Sequence, residues 1–341
     1  MAEKREIRRT ESTGLIVGTL SELALEVVDS TMKLEDGKEK ACKQIRAKDG
    51  KFNEAIAIET DNGVFKFPAP SFCTNIKRDG TESNAYKAWH TVVTEYKDKV
   101  HYGDEADRVS LTVGYEPTFS YSTPKDDVVV YANNFRTRFI SRVDKDADSS
   151  TDIQTECVVK AIRPEMRGEE ETGRKIVDIM TANYGDSDTP LVGVVSSLII
   201  PEDLVDDFED MYSAGQTCRL NFELKNVKVG GNNGGEVRGF GRKAKVYDGF
   251  TVTERVVFGG DPAYNDDEDT EDKAYTNVEI KSLLKDFDIC KKAKLQKGRA
   301  EKGNNTKSKG LGNRASKAKV KAESVDDDNP FMDDDDENPF M

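Results

Sequence analysis

Between Gln154 and Val229 the chain changes its hydrophobic period in an order that few folds can accept. A strand-like run, Cys157-Val-Val-Lys-Ala-Ile162, is stopped by Pro164, and a polar loop from Met166 to Gly173 follows. Lys175-Ile-Val-Asp-Ile-Met180 then alternates, with Ile176 and Met180 facing one way and Val177 and Ile179 the other. A turn at Tyr184-Gly-Asp-Ser leads into the apolar run Leu191 to Ile200, which reads as a buried strand. Pro201-Glu-Asp starts a helix, since proline suits the first turn and carboxylates suit the positive end of the helix dipole. Leu204, Val205, Phe208, Met211 and Tyr212 form its apolar stripe, and Asp203, Asp206, Asp207, Glu209 and Asp210 cover the rest. Gly215 ends the helix, and Cys218, Leu220, Phe222 and Leu224 alternate along a fourth strand. Strand, strand, strand, helix, strand is the order of an OB-fold, a five-stranded Greek-key barrel whose open sheet face commonly binds single-stranded nucleic acid. The fold class expected is therefore mainly β, built from OB-type barrels with one helix each.

The rest of the chain divides around that barrel. At 341 residues there is room for two domains and tails. Residues 1–12 are charged and apolar-poor, which predicts a flexible arm. Residues 13–150 form a β-rich N-terminal domain. Within it Asp61-Asn-Gly63 between two apolar runs is a strong hairpin signal. Asn84 to Lys97 reads as a helix with the stripe Tyr86, Trp89, Val92, Val93 and Tyr96, so Trp89 is in phase for the core. A second OB-like barrel fits these elements less legibly than the central domain, residues 151–258. Residues 259–290 read as an acidic loop and a helix with Val278, Leu283, Leu284, Phe287 and Cys290 at helical spacing. Residues 291–322 lose that periodicity and predict a disordered basic linker, followed by an acidic tail, residues 323–341.

Charge argues both ways about partners. The net charge of -14 opposes nucleic-acid binding, because nonspecific affinity comes mainly from neutralising phosphate. The distribution is uneven, however: the linker is strongly basic and the tail strongly acidic. Five cysteines are scattered with no CxxC pair, and His90 and His101 are the two histidines, so neither a metal site nor a cofactor is expected. The cysteine usage and the lack of a signal peptide predict a reducing cytoplasm. No apolar run approaches the roughly 20 residues of a membrane span. No nucleophile–base pair or phosphate loop is visible, so an enzyme is not expected.

The best nucleic-acid candidate in the body is Asn133-Asn-Phe-Arg-Thr-Arg-Phe-Ile-Ser-Arg142. As an extended strand it would place Arg136, Arg138 and Arg142 on one face with Ile140 between them, and Phe135 and Phe139 on the other. Arginine neutralises phosphate, and aromatic rings stack on bases of any sequence. The competing reading is an ordinary strand with phenylalanines inward and arginines in solvent. After the flexible Gly230 to Gly235 loop, Arg238-Gly-Phe-Gly-Arg-Lys-Ala-Lys245 mixes Phe240 with Arg238, Arg242, Lys243 and Lys245 beside the closing strand. Lys160, Arg163, Arg174 and Lys175 on the central barrel complete the candidate set.

The chain ends in a motif written twice, Asp326-Asp-Asp-Asn-Pro-Phe-Met332 and Asp333-Asp-Asp-Asp-Glu-Asn-Pro-Phe-Met341. Hydrophobic anchors on an acidic tether suit peptides that dock into basic, apolar pockets. The partner-binding candidates are Asn329, Pro330, Phe331, Met332, Asn338, Pro339, Phe340 and Met341. This tip resembles the Asp-rich Pro-Phe tip of bacterial and phage single-stranded DNA-binding proteins, departing from it where methionine follows phenylalanine. The body resembles proteins of phages of Gram-positive bacteria that are read as single-strand binders. The residues that carry this are Asn134-Phe135, Arg142-Val143, Val159 to Glu165, Glu171-Thr-Gly-Arg174, Phe240-Gly241, Val257 to Tyr264 and Ala274-Tyr275. The likeness spans roughly Asn133 to Leu284.

The resemblance implies a phage protein that coats single-stranded DNA in replication, recombination and repair. It also implies that the tail recruits polymerase, helicase–primase or nuclease. The rival expectation, favoured by the acidic body, is an adaptor or inhibitor that binds host proteins without nucleic-acid affinity.

Overall fold

The computed structural model describes residues 7–71, 73–121, 129–132, 135–185, 189–230, 249–266 and 270–307. The first half contains β1 (Ser12–Leu23), a hairpin of β2 (Leu25–Lys33) and β3 (Glu39–Ala47), and a hairpin of β4 (Ile56–Thr60) and β5 (Gly63–Phe67). It continues with α1 (Asn84–Glu95), the short α2 (Lys99–Tyr102), β6 (Arg108–Tyr115), the hairpin β7 (Thr118–Tyr121) and β8 (Val129–Ala132), and β9 (Phe135–Arg142). The second half contains β10 (Ser150–Arg167), β11 (Glu170–Tyr184), β12 (Leu191–Ile200), α3 (Val205–Met211), β13 (Thr217–Val229), β14 (Phe250–Gly260) and α4 (Asn277–Lys307). None of the described helices is long and apolar enough to cross a membrane.

The second half closes on itself. β10 pairs with β11, β11 with β12, and β12 meets β14 in parallel at Ile199 and Val256. β14 pairs with β13, which returns to β10. That circuit, with α3 between the third and fourth strands, is the OB-fold arrangement. Val177, Ile179, Leu198, Cys218, Leu220 and Phe222 point inward and are buried. Val205 and Phe208 of α3 plug one end of the barrel, and the Tyr212 hydroxyl donates to the Asp261 carbonyl at 2.6 Å. Met211, assigned to the apolar stripe, is exposed instead.

The first half has the same strand order. β1 pairs with β4 and β6, β4 with β5, and β6 with β9, with α1 between the third and fourth strands of the set. Side chains join its third and fifth strands: the Phe67 and Phe135 rings meet edge to face at 5.5 Å, and Thr137 donates to the Pro68 carbonyl at 2.6 Å. Trp89 lies in this core, as its phase predicts. The β2–β3 and β7–β8 hairpins are insertions into two of the connecting loops.

The first strands of the two barrels pair with each other. β1 runs antiparallel to β10 from Ser12 opposite Thr155 to Val17 opposite Ser150. This gives a continuous six-stranded sheet, β9-β6-β1-β10-β13-β14. Each first strand bulges as it turns to its second partner, β1 between Leu20 and Glu22 and β10 between Val159 and Ala161. Measured from these bulges, Gly14 and Ile153 occupy equivalent places, and they face each other across the seam. The barrels are thus related by a local two-fold through that pair.

Several expectations are corrected. Pro164 does not stop a strand: β10 continues to Arg167 and β11 starts at Glu170, so the loop expected from Met166 to Gly173 is largely a hairpin. The register shift between Pro164 and Met166 explains this, since proline at a bulge forfeits no ladder hydrogen bond. The arm expected to be flexible to residue 12 is pinned from Ile7 onward. Arg8 bonds both Glu156 and the Lys273 carbonyl, and Tyr275 donates to the Arg8 carbonyl. The basic linker expected from Lys291 is helical as far as Lys307: lysine is a good helix former, and Leu295 continues the face by which Phe287 and Cys290 pack on the barrel. Val278, placed in that helix's apolar stripe, is exposed.

Candidate nucleic-acid interface

The register of β9 differs from a simple alternation. β6 pairs Thr112 with Phe139 but Val113 with Thr137, so Arg138 is the extra residue of a β-bulge. A bulge reverses the side-chain phase beyond it. Phe135 and Thr137 therefore point into the core before the bulge, and Ile140 points in after it. Arg136, Arg138 and Phe139 all face outward, and Phe139 is 51% exposed. This corrects the expectation of arginines with Ile140 on one face and phenylalanines on the other. Phe135 is a core residue, packed on Phe67 and Tyr115.

The outward residues sit on the six-stranded sheet. Successive registers place Phe139, Thr112, Leu15, Asp152 and Glu223 in one cross-strand row. Leu15 is exposed, so the β9-β6-β1 side of the row presents apolar surface and the β10-β13 side presents carboxylates. Arg138 lies over Gly114, where a Cβ would come within 2.9 Å of Nη2 and push the guanidinium aside. The Arg138 guanidinium donates to the Ser12 carbonyl at 2.8 Å, a neutral acceptor, and pairs with no carboxylate among the described residues. Arg136 is 3.9 Å from Glu116.

The remaining candidates have other employment. Arg142 is held by Asp107 at 2.9 Å and lies 4.3 Å over the Tyr96 ring. Arg163 pairs with Asp178 at 3.1 Å, and Lys175 pairs with Glu209. Arg174 forks to Glu165 at 2.6 and 2.7 Å and to Glu254 at 2.9 and 3.1 Å. Those hydrogen bonds raise the Arg174 pKa and hold the Glu165 carboxyl below its usual range. For these four residues a phosphate would have to compete with a carboxylate already in place. Lys160 lies half-buried at the β10 bulge. Arg238, Phe240, Arg242, Lys243 and Lys245 lie outside the described residues, as do the tail candidates from Asn329 to Met332 and from Asn338 to Met341.

The outer face of β11 and β12 is covered. Ile280 and Leu283 of α4 pack on Val158, Met180 and Ala182, and Phe287 and Cys290 pack on Val192 and Val194. On the first barrel the corresponding strands carry Lys66 paired with Glu54 and Glu59 paired with Lys99. The face of each barrel's second and third strands is thus occupied by a helix or by compensated charge, and the sheet across the seam is where arginine and exposed apolar side chains meet.

Sequence reasoning missed Leu15, Arg9 and Arg219 on this surface. Leu15 had a signal: it breaks the inward alternation of Ile16 and Leu20, so both faces of β1 carry apolar residues.

The geometry can be set beside known proteins. A family model described as YorF matches residues 16–321. A search of curated proteins found no match. Two solved structures of the single-stranded DNA binding protein from Thermus aquaticus are similar in part. The wild-type protein is 10% identical, with a TM-score of 0.34 over 75% of this chain and 94% of that one. A deletion mutant of the same protein is 8% identical, with a TM-score of 0.35 over 75% and 96%. At that identity and score the likeness has no bearing on function.

Proposed function

The chain belongs to the YorF family, and we propose that it binds single-stranded DNA across the outer face of its six-stranded sheet. The observation that carries this is the β9 bulge, which turns Phe139 out beside Arg136 and Arg138. An exposed ring offers a stacking platform for bases of any sequence, and adjacent guanidinium groups meet the phosphates that flank them. OB-type barrels in tandem support the reading, since a sheet shared by two barrels offers a longer track than one. The protein acts by coating strand in phage replication, recombination and repair in the host cytoplasm. It performs no chemistry of its own, and the acidic tail recruits polymerase, helicase–primase or nuclease.

One observation favours the adaptor reading. Arg142, Arg163, Arg174 and Lys175 each face a carboxylate, as a protein without nucleic-acid affinity would arrange them. Fluorescence anisotropy of labelled oligo-dT over a salt series separates the two. Full-length protein and a version ending at Ala322 should both bind, tightly at low salt and more weakly as salt rises. No binding by either at low salt would abandon the strand reading in favour of a protein partner.

A further inference from the structure

Where the barrels meet, the chain just before β1 and the start of β1 run beside a shallow cleft. Three arginines from distant parts of the chain line it: Arg9 ahead of β1, Arg138 from β9 and Arg219 from β13. Ser12, Thr13 and Gln154 also line it, the Ser12 hydroxyl being engaged by the Gln154 carbonyl and the Tyr115 N–H.

The three guanidinium groups are held differently. Arg9 is the anchored one: it bonds Glu116 and lies 4.6 Å over the ring of Tyr184, which is 67% exposed. Arg138 is oriented by the Ser12 carbonyl at 2.8 Å, which positions the fork without cancelling its charge. Arg219 has Glu11 at 3.7 Å and Asp261 at 4.0 Å, both beyond hydrogen-bond reach. The Glu11 side chain is 77% exposed and can swing into solvent. An anion entering the cleft therefore finds an oriented fork on Arg138 and, on Arg219, N–H donors that no described residue engages, and the one carboxylate lining the cleft is easily displaced. Planar forks of this kind match the geometry of phosphate oxygens.

We propose that this cleft is a phosphate site, and that it holds the backbone of a single strand as the strand crosses from one barrel to the other. Tyr184 beside it stacks on an adjacent base. The crossing rests on the strand-binding reading above, whereas the phosphate site does not, because a nucleotide or an inorganic polyphosphate carries the same chemistry.

The test compares wild type, Arg138→Ala/Arg219→Ala and Arg138→Lys/Arg219→Lys as full-length chains. Labelled oligo-dT is titrated over a salt series, and sodium tripolyphosphate is added separately in thermal melts. The alanine pair should bind oligo-dT about 10-fold more weakly at low salt, with a salt slope shallower by about 1.4, roughly 0.7 for each lost phosphate contact. The lysine pair should keep the slope and lose part of the affinity, because it keeps charge but not the fork. Tripolyphosphate should raise the melting temperature of wild type but not of the alanine pair. Should the alanine pair fail to fold, Arg219→Ala alone carries the comparison, since no hydrogen bond among the described residues depends on that guanidinium. Tight oligo-dT binding with affinity and slope unchanged by the alanine substitutions would overturn the cleft and leave the strand reading standing. No oligo-dT binding, together with tripolyphosphate stabilisation that needs Arg138 and Arg219, would overturn the strand reading and leave a phosphate site. Neither response in wild type would overturn both.

Discussion

Asn226 on β13 donates its backbone N–H to the carbonyl of Asn62 at 3.0 Å, so the tip of one barrel's hairpin is bonded to the flank of the other barrel. The Asn226 side chain adds a bond to the Val64 carbonyl at 2.9 Å, and the Asn62 amide reaches Glu223 at 3.0 Å. Together with the β1–β10 ladder, this gives the barrels two separated points of attachment. A rigid sheet across the seam follows from that pair of contacts.

Asn226→Ala should lower stability by about 1–2 kcal/mol, because it removes the bond to Val64 and the one the side chain accepts from the Thr253 hydroxyl at 2.7 Å. Gly63→Ala should cost more, about 2–3 kcal/mol. The backbone there has φ +120°, and a Cβ would sit 2.6 Å from the Asn226 amide nitrogen. Urea melts of the two variants would show the order, and a Gly63→Ala protein as stable as wild type would contradict the docking.

The two phenylalanines of β9 should respond oppositely. Phe139→Ala should weaken oligo-dT binding by about 1–3 kcal/mol, roughly 5- to 150-fold, with no change in melting temperature. Phe135→Ala should instead lower stability by about 2–4 kcal/mol, because its ring packs on Phe67 and Tyr115. Binding by Phe139→Ala equal to wild type would remove the sheet face as the interface.

Arg174 should matter to stability and to its pH dependence. Its fork lowers the Glu165 pKa from the ordinary 4.5. A carboxylate with a depressed folded-state pKa stabilises above its unfolded value, and that contribution is lost as pH falls through the folded one. Arg174→Gln should be less stable than wild type at pH 7, and the gap should narrow as pH falls below the ordinary value. Denaturant midpoints from pH 7 to pH 3 read this directly; a constant gap would mean the ion group is not the cause.

All five cysteines are buried and unbridged, so thiol reagents should be nearly inert toward the native chain. Burial pushes the Cys73 thiol up to about 11. The hydrogen bond with Cys218, whose sulfur is 4.0 Å away, raises that of Cys157. Thiolate is the reactive form, so both effects slow modification. Five equivalents of Ellman's reagent should react in denaturant and almost none in its absence; rapid native labelling would show that a core opens.

The central barrel was legible because its strands are either alternating or wholly apolar and its helix carries a stripe from Leu204 to Tyr212 that packs on the core except at Met211. The first barrel was less so, because the β2–β3 and β7–β8 hairpins stand between strands that belong together. Among the candidate residues, Arg136, Arg138 and Phe139 emerge on an exposed face, whereas Phe135 packs in the core and Arg142 and Arg174 are already held by carboxylates. The difference could not be read from residue type. A lone arginine looks the same in sequence whether it awaits a phosphate or already grips Glu165.

By itself, then, the sequence determined the local periods: which segments extend, where the short helix falls, and where Asn62-Gly63 must turn. These depend on neighbours two to four residues apart. Tertiary structure alone decided that the two first strands pair at Gly14 and Ile153, and that the β9 bulge reverses Phe139. It also decided that α4 covers β11 and β12, and that Arg9, Arg138 and Arg219 share one cleft. Each of these is a meeting of segments far apart in the chain, set by backbone register and packing, and no local pattern encodes which distant partner will be opposite.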